Sequence, residues 1–578
     1  MRAAQPENVN NGAVFAALRQ LSALGVTVHV DDAMTQRFGR STGPDGSGAA
    51  CRAPMAVLQP RTSEQVQAAV RVAREAGLKL HPVSRGCNWG YGDAAPPGPG
   101  QAVLDLSSMN RILEVNAELG YAVIEPGVSQ GQLWQYLKDR GLPYTIDATG
   151  AGPGASFVGN TLDRGFGHTR YGDHFLTACG MEIVLGDGRI LRTGFAHYDN
   201  ARAQHVYPYG VGPFLDGLFA QSNLGIVTRL GVWLAPEPEA FCAFFFQSSD
   251  AEHGLAEMVE RLAPLRRQGV ITSAVHIAND LRLISARARY PWDRAGGRTP
   301  LPDDVRQAMA RELGVSAWTG AGAIAGPAGV VAATRKLVKR ALRGQRVMFF
   351  TDRRLAWLDR VGRGLGAVGR GEGLREQLAG LKGVYALLRG EPNGHALAGT
   401  LWRVRDARSR EAVTDPLDRH AGLMWCSPVL PMTGEAAQQV RRIMEPVYAA
   451  HGFEAFSTYT MINERAMICV SNLYFDRREP DEAERARACY DELTTRLMDA
   501  GYPPYRTGPA GYGKLGRGSG WSYWDVVAQL KATLDPDGVI SPGRYEPSCD
   551  AGVAAGATPT RAAHGLRAIE SVGEHGLT

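Results

Sequence analysis

The sequence has no CxxC pair. Its 8 cysteines (Cys51, Cys87, Cys179, Cys242, Cys426, Cys469, Cys489 and Cys549) are scattered along 578 residues. That spacing argues against a disulfide framework or a zinc knuckle and for a reducing compartment. No metal site is expected. Long apolar runs are also missing: nothing reaches the roughly 20 residues a membrane helix needs. The N-terminal MRAAQPENVNNGAV lacks the basic-then-apolar order of a secretion signal. Charge of one sign is not concentrated. Lys+Arg number 63 and Asp+Glu 58, a formal net charge of +5, small for this length and without a long basic block. Neither nucleic acid nor a membrane is therefore an expected partner, and the expected location is cytoplasmic.

What is present fits a globular chain of more than one domain: 44% apolar and 21% charged residues. From Ala56 a strand–helix–strand grammar appears. MAVLQP reads as a short strand. TSEQVQAAVRVAREAG reads as a helix, with Thr62 as N-cap, Gln65 at the capping-box position and Gly77 as stop. SQGQLWQYLKDRG is a second helix, capped by Ser129, and Asp187-Gly188 turns a hairpin. Pro236 and Pro238 mark a boundary. Beyond it, long helical patterns alternate with apolar strands (CAFFFQSS, LMWCSPVLP, AMICVSNLYF), which predicts an antiparallel sheet covered by helices. The expected organisation is residues 1–236, a second domain over 237–500, a C-terminal segment 501–547 that returns to the first, and a loosely attached tail 548–578.

Glycine gathers where chemistry would need backbone. HPVSRGCNWGYGDAAP (81–96) follows a strand and places Gly86, Gly90 and Gly92 around a cysteine, a tryptophan and a tyrosine. Backbone amides bared in this way suit a pyrophosphate. EPGVS (125–129), GPGASFVGN (152–160) and QSNLGIVT (221–228) repeat the theme, as expected around one large phosphate-bearing cofactor. GAGAIAGPAG (320–329) imitates a dinucleotide fingerprint but lacks the acidic residue about 20 positions on. It reads as a Gly-rich strand-to-helix turn.

RGCNWGYGDAAP, VLDLSSMNRILEVN, YAVIEPGVSQGQLWQYL, VGNTLDRGFGHTRYGDHF, YGVGPFLDGLFAQSNLGIVTRLGVWLAPEPE, LMWCSPVLP and DPDGVISPGR follow one another in this order. Together they resemble the vanillyl-alcohol oxidase / p-cresol methylhydroxylase family of flavoproteins, over roughly residues 55–240 and 420–547. The resemblance implies an α+β fold: a two-part FAD-binding domain of the PCMH type, with an antiparallel-sheet cap over the isoalloxazine. It implies FAD contacts from Ser84, Arg85, Gly86, Cys87, Asn88, Trp89 and Gly90, with no room for a side chain at Gly86 or Gly90. Further contacts are implied at Pro126, Gly127, Gly154, Gly159, Asn160, Ser222, Gly225, Ile226 and Val227. Arg544 would either reach the phosphates or close the C-terminal segment.

For the chemistry the resemblance implies a phenolate clamp of two tyrosines and an arginine, here Tyr91, Tyr505 and Arg506. The physics agrees: a phenol titrates near 10, and a guanidinium with two phenolic donors favours its anion. Trp425 and Thr458 would line the pocket. Two departures stand out. Where some relatives carry an acid by flavin N5, this chain has Ala151, unless Asp147 reaches in by another path. His168 stands where tyrosine is frequent, either as a proton shuttle or as a hydrogen-bonded structural histidine. The usual covalent-tether position falls on Leu423, so FAD is expected to bind non-covalently; links through His420 or Cys87 are the alternatives.

The expected activity is FAD-dependent oxidation of para-substituted phenols through a quinone methide, with oxygen or a cytochrome-type protein as electron acceptor. Two alternatives are oxidation of a larger specialised metabolite in the same fold and flavin binding without turnover. A homodimer or larger even assembly is implied by the resemblance.

Overall fold

The computed structural model describes residues 11–44, 53–367, 372–406, 413–517 and 521–547. The tail 548–578 and most of the polar loop near residue 45 lie outside them.

The first sheet has the order Thr27–His29, Val57–Gln59, Gln101–Asp105, Lys79–Val83. Its last three strands are parallel, joined by the helix Ser63–Ala76. Thr62 caps that helix by accepting from Gln65 N, and Gly77 ends it at φ +69°. Gln65 departs from the capping-box expectation. Its Oε1 accepts from Arg61 N at 2.7 Å, and its Nε2 donates to the Gly25 carbonyl at 3.0 Å, stapling this helix to the one before. The C-terminal segment returns here: Ser541 N donates to Leu80 O and Leu80 N to Val539 O. Val539 and Ile540 are buried in this sheet's core, so the segment before residue 547 completes it.

A five-stranded antiparallel sheet stands beside it, ordered Ile112–Asn116, Tyr121–Ile124, Ile226–Trp233, Ala178–Val184, Ile190–Arg192. Ser129 caps the helix Gln130–Asp139 as expected.

Ala240–Ser248 opens an eight-stranded sheet. The stretch expected as a Gly-rich strand-to-helix turn is mostly one of its central strands, Trp318–Gly326, and turns at Pro327 into the helix Ala328–Ala341. Gly320 and Gly322 lie under the rings of Phe246 and Phe244, where a Cβ would collide, so these glycines make room for aromatic packing. One face of the sheet packs on the helices Gly254–Arg267, Gly434–Ala450 and Pro480–Asp499 through Phe244, Phe246, Val275, Tyr459 and Cys469. The opposite face carries Phe245, Ala321 and Ala323 at one end, covered by Leu355, Tyr385 and Leu388. Farther along that face the register brings His276, Thr458, Thr460 and Trp425 to the surface turned toward the first domain. A buried ion cluster ties this half together: Arg403 meets Glu454 at 2.9 Å and Glu482 at 2.6 Å.

Candidate active site

The loop after Lys79–Val83 is held by polar contacts with a distant segment. Asp93 accepts from Thr42 N at 2.6 Å and from Thr42 Oγ1 at 2.9 Å, and Thr42 Oγ1 accepts from Gly90 N at 2.8 Å. Burial pushes the Asp93 carboxyl up to about 7. Gly86 and Gly90 have φ of +72° and +78°, which side chains adopt at a cost. The reason for Gly90 differs from the expected one. A Cβ there would lie 2.8 Å from Leu423 Cγ and closer still to the Trp425 indole, so the glycine admits the cap strand rather than the cofactor. At Gly86 a Cβ would meet Ala94 Cβ at 3.0 Å.

Behind this loop lies a cleft that opens to solvent and holds about 940 Å³ of empty space, its mouth included. Its wall includes Ser84, Arg85, Gly86, Cys87 and Asn88 from the first loop, Ala151, Gly159 and Asn160 from the second, and Ser222, Gly225, Ile226 and Val227 from the third. Arg506 and Arg544 close one end. Five expected contacts are not on that wall: Trp89, Gly90, Pro126, Gly127 and Gly154. Three of these support it from behind. Arg85 donates to the carbonyls of Gly154 at 2.7 Å and Gly127 at 3.1 Å, and Ser156 Oγ donates to Pro126 O at 2.6 Å. Trp89 and Gly90 face the cap, with Trp425 Nε1 donating to Trp89 O at 2.7 Å. The Ser222 hydroxyl is buried without a protein partner. An arginine, glycine-bared backbone and an orphaned hydroxyl in one cleft fit a dinucleotide with a pyrophosphate.

At the arginine end the expected clamp assembles around a residue that the sequence reading passed over. Asp163 accepts from Arg506 Nη2 at 3.0 Å, Arg544 Nη2 at 2.7 Å and Asn88 Nδ2 at 3.0 Å. Arg506 also donates to Asn88 Oδ1, and its Nε is buried without a partner. Burial opposes the Asp163 charge, but the arginines outweigh it and hold the carboxyl below its ordinary value. Burial likewise opposes the Arg506 charge, and Asp163 with Tyr505 and Tyr91 keeps it firmly protonated.

The Arg506 guanidinium lies 4.2 Å over the Tyr91 ring, a cation–π contact. Tyr91 in turn stacks on Trp425 with centroids 6.2 Å apart. The Tyr91 hydroxyl is 3.2 Å from Ser427 Oγ and also pairs with Tyr505. Burial pushes the Tyr91 hydroxyl well above the ordinary phenol value, so it stays a donor. Tyr505 is positioned by backbone, donating to Ser427 O at 3.1 Å and accepting from Gln221 Nε2 at 2.9 Å. Its ring touches Phe166 at 5.5 Å.

Asp147 does not take the place of the missing acid. It accepts from His174 Nε2 at 2.9 Å, Thr169 N at 2.6 Å and His168 N at 3.1 Å. It serves to build the loop. His174 passes the contact on to Asn160 Oδ1 at 2.8 Å, fixing that side chain at the cleft wall. Ala151 is on the wall, and its carbonyl accepts from Trp89 Nε1 at 3.3 Å. His168 lies off the wall, with Nδ1 3.0 Å from the Ala148 carbonyl. Thr458 and Trp425 share the sheet face turned toward the clamp, whereas Met461 belongs to the opposite face and its core. The Cys87 thiol is pushed up to about 11 by burial. His420 is exposed, at φ +56°, and off the wall.

An FAD binding domain model matches residues 54–194. The 4-cresol dehydrogenase [hydroxylating] flavoprotein subunit of Pseudomonas putida is 31% identical over 499 residues, 86% of this chain and 88% of that protein. This chain belongs to the vanillyl-alcohol oxidase / p-cresol methylhydroxylase flavoprotein family. It is an FAD-dependent oxidoreductase with that family's fold. Similarity is also high, 37% over 534 residues (92% of this chain, 96% of the other), to the 1'-carboxy-chondrochloren decarboxylase of Chondromyces crocatus. Among solved structures, p-cresol methylhydroxylase with substrate bound superposes with a TM-score of 0.83 at 28% identity, covering 95% of this chain and 100% of that one. The 4-ethylphenol oxidase of Gulosibacter chungangensis, in complex with isoeugenol, gives 0.82 at 28% identity, covering 94% and 99%. No helix among the described residues is long and apolar enough to cross a membrane.

Proposed function

We propose that this flavoprotein oxidises para-substituted phenols (4-alkylphenols, 4-hydroxybenzyl alcohols, allylphenols) at the benzylic carbon. The observation that carries this reading is the meeting of Tyr91, Tyr505 and Arg506, from opposite ends of the chain, around one buried spot. A phenol entering there finds a guanidinium with a spare Nε–H and two phenolic hydroxyls. These donors favour its anion and lower its pKa from about 10. The para-phenolate then pushes electrons toward the benzylic carbon, which weakens the hold on a hydride.

Ser84–Asn88, Gly159, Asn160, Ser222, Gly225, Ile226, Val227 and Arg544 would hold FAD, which supplies the hydride acceptor when bound. The rest falls to the chain. Tyr91, kept protonated by burial, donates to the phenolate oxygen, Ser427 and Trp425 orient Tyr91, and the cap strands exclude water from the ring.

A second reading is favoured by the Chondromyces crocatus relative, whose name gives a carboxylated metabolite and a decarboxylation. In that reading the same clamp holds a larger phenol bearing a carboxylate, and Ala151 leaves room where an acid would repel it. The electron acceptor is oxygen or a cytochrome-type protein, and a homodimer or larger even assembly is the expected state.

The test is an anaerobic titration of the purified protein with 4-ethylphenol and 4-hydroxybenzyl alcohol, following the flavin band. Bleaching supports the first reading, and admitting air then reports on oxygen. A yellow protein that simple phenols leave oxidised would overturn the first reading in favour of the second.

A further inference from the structure

We propose that His168 and His276 form the acid–base pair of the benzylic position, taking the proton that a carboxylate in place of Ala151 would take. The inference rests on the phenol reading above.

The two rings come from opposite sides of the domain boundary and meet with centroids 4.5 Å apart and planes tilted by 40°. His168 stands two residues beyond Phe166, whose ring contacts Tyr505 of the clamp. His276 stands on the cap face that carries Thr458 and Thr460. The Ala148 carbonyl can only accept, so the 3.0 Å contact places a proton on His168 Nδ1 and leaves Nε2 its lone pair. His276 Nδ1 pairs with Thr460 Oγ1 at 2.9 Å, and its Nε2 is buried with no partner. A buried ring nitrogen left unpaired is uncommon and invites a transient proton or ligand. Asp147 and His174 act on His168 from its own domain, and Arg266 on His276 from the cap. Burial dominates both and lowers both, His276 the further, so both rings are neutral bases near pH 7.

A second cleft, open to solvent, is lined by Thr169, Ser273 and Ala323, which are neighbours of the pair in sequence and register. Thr169 follows His168 in sequence, and Ala323 lies two residues from Ala321, the cross-strand partner of His276.

The step balances without a further reactant. Once a 4-alkylphenol has lost its hydride, water attacks the benzylic carbon of the quinone methide. The new C–O bond forms, the exocyclic double-bond pair returns to the ring and restores the phenolate, and one water proton moves to His168 Nε2. With Thr460 Oγ1 accepting from its Nδ1–H, His276 keeps a buried lone pair on Nε2 in the ring packed against His168. The proton leaves to solvent with product.

The experiment uses the FAD-loaded protein in anaerobic single turnovers with 4-ethylphenol, comparing the parent with His168→Gln, His276→Gln and the double variant. Flavin bleaching tests the phenol reading, and the ratio of benzylic alcohol to 4-vinylphenol tests the pair. Alcohol formed per flavin bleached is expected to fall about 10²-fold in each single variant, and no further in the double. In the parent it should also fall as pH drops below the pair's lowered pKa values, because a protonated pair cannot accept. An unchanged ratio in both variants, or a parent that forms only 4-vinylphenol, would overturn the pair. A parent that no 4-alkylphenol bleaches would overturn the phenol reading and the pair with it. A readout without turnover guards against misfolded variants. In ring-13C-labelled parent, 4-hydroxybenzaldehyde is expected to shift both histidine signals together; two unmoved signals at saturating ligand would overturn the proposal.

Discussion

Asp163 neutralises two arginines from the far end of the chain at once, Arg506 at 3.0 Å and Arg544 at 2.7 Å. All three groups are buried or nearly so, so the pairing locks the C-terminal segment onto the first domain. Removing one member leaves charge uncompensated, which costs about 3–5 kcal/mol at buried sites. Asp163→Asn is expected to lose stability of that order at pH 7. The sign with pH follows from the lowered carboxyl. The folded value lies below the unfolded one of about 3.9, so the contribution is complete above that pH and is lost as pH falls through the folded value. Denaturant curves from pH 7 to pH 2 should show the gap between parent and variant closing only at the acid end. A gap that does not vary with pH would contradict the assignment.

Arg506 is expected to dominate phenol affinity. A hydrogen bond to a charged group contributes about 1.5–3 kcal/mol, so Arg506→Ala should weaken phenol binding about 10- to 100-fold, read from perturbation of the flavin spectrum. Arg506→Lys should recover part of the affinity through charge but not the forked geometry. If Arg506→Ala oxidises 4-alkylphenols as fast as the parent, the phenolate clamp is wrong.

Asp93 has the opposite sign. Burial holds its carboxyl at about 7, above the unfolded value of about 3.9. The folded state therefore binds a proton more tightly than the unfolded chain. Stability is lost as pH rises from about 4 through 7, by a few kcal/mol in all. Asp93→Asn can still accept from Thr42 and carries no charge. Its melting temperature should exceed the parent's increasingly between pH 5 and pH 8 and then run parallel. A constant difference across that range would show that Asp93 titrates normally.

Arg403 is buried between Glu454 and Glu482, with its guanidinium 4.8 Å over the Phe453 ring. Arg403→Ala leaves two buried carboxylates and a void. It should destabilise by about 3–5 kcal/mol, and the loss should register in a cap-localised probe such as Trp402 fluorescence before the flavin is released. Simultaneous loss of both signals would place the cluster outside an independently failing unit.

Much of this architecture was legible because its signals are local. Caps at Thr62 and Ser129, the stop at Gly77 and the positive-φ glycines of the first loop each lie within a few residues of what they control. Tyr91, Tyr505 and Arg506 could be named because each sits in a recognisable segment. Asp163 escaped notice because Asp-Arg-Gly in isolation looks like a surface turn; only the buried guanidiniums of Arg506 and Arg544 make a carboxylate necessary there. His276 reaches the site by pairing with the distant Thr460, and Ser427 by meeting Tyr91 from 336 residues away, neither of which local pattern encodes. Gly90 was assigned to the right loop for the wrong reason, since the indole that excludes its side chain arrives from residue 425. The two helices covering one end of the cap sheet, Asp352–Ala367 and Glu372–Leu388, were not anticipated.

Cys87 lies on the cleft wall with its thiol pushed up to about 11. The thiolate, not the thiol, is the nucleophile that would form a thioether. Near neutral pH less than about one part in a thousand is ionised. Nor does His420, exposed and off the wall, offer a tether, and the usual tether position is Leu423, a core residue. Acid precipitation of the yellow protein should therefore release all of the flavin to the supernatant, from Cys87→Ser as from the parent. Alkylation of Cys87 in FAD-free protein should accelerate tenfold per pH unit up to about pH 11. Colour retained in the washed parent pellet and lost in the Cys87→Ser pellet would mean that bound flavin overcomes the raised thiol value. The cofactor's own charge would then be what lowers the thiol.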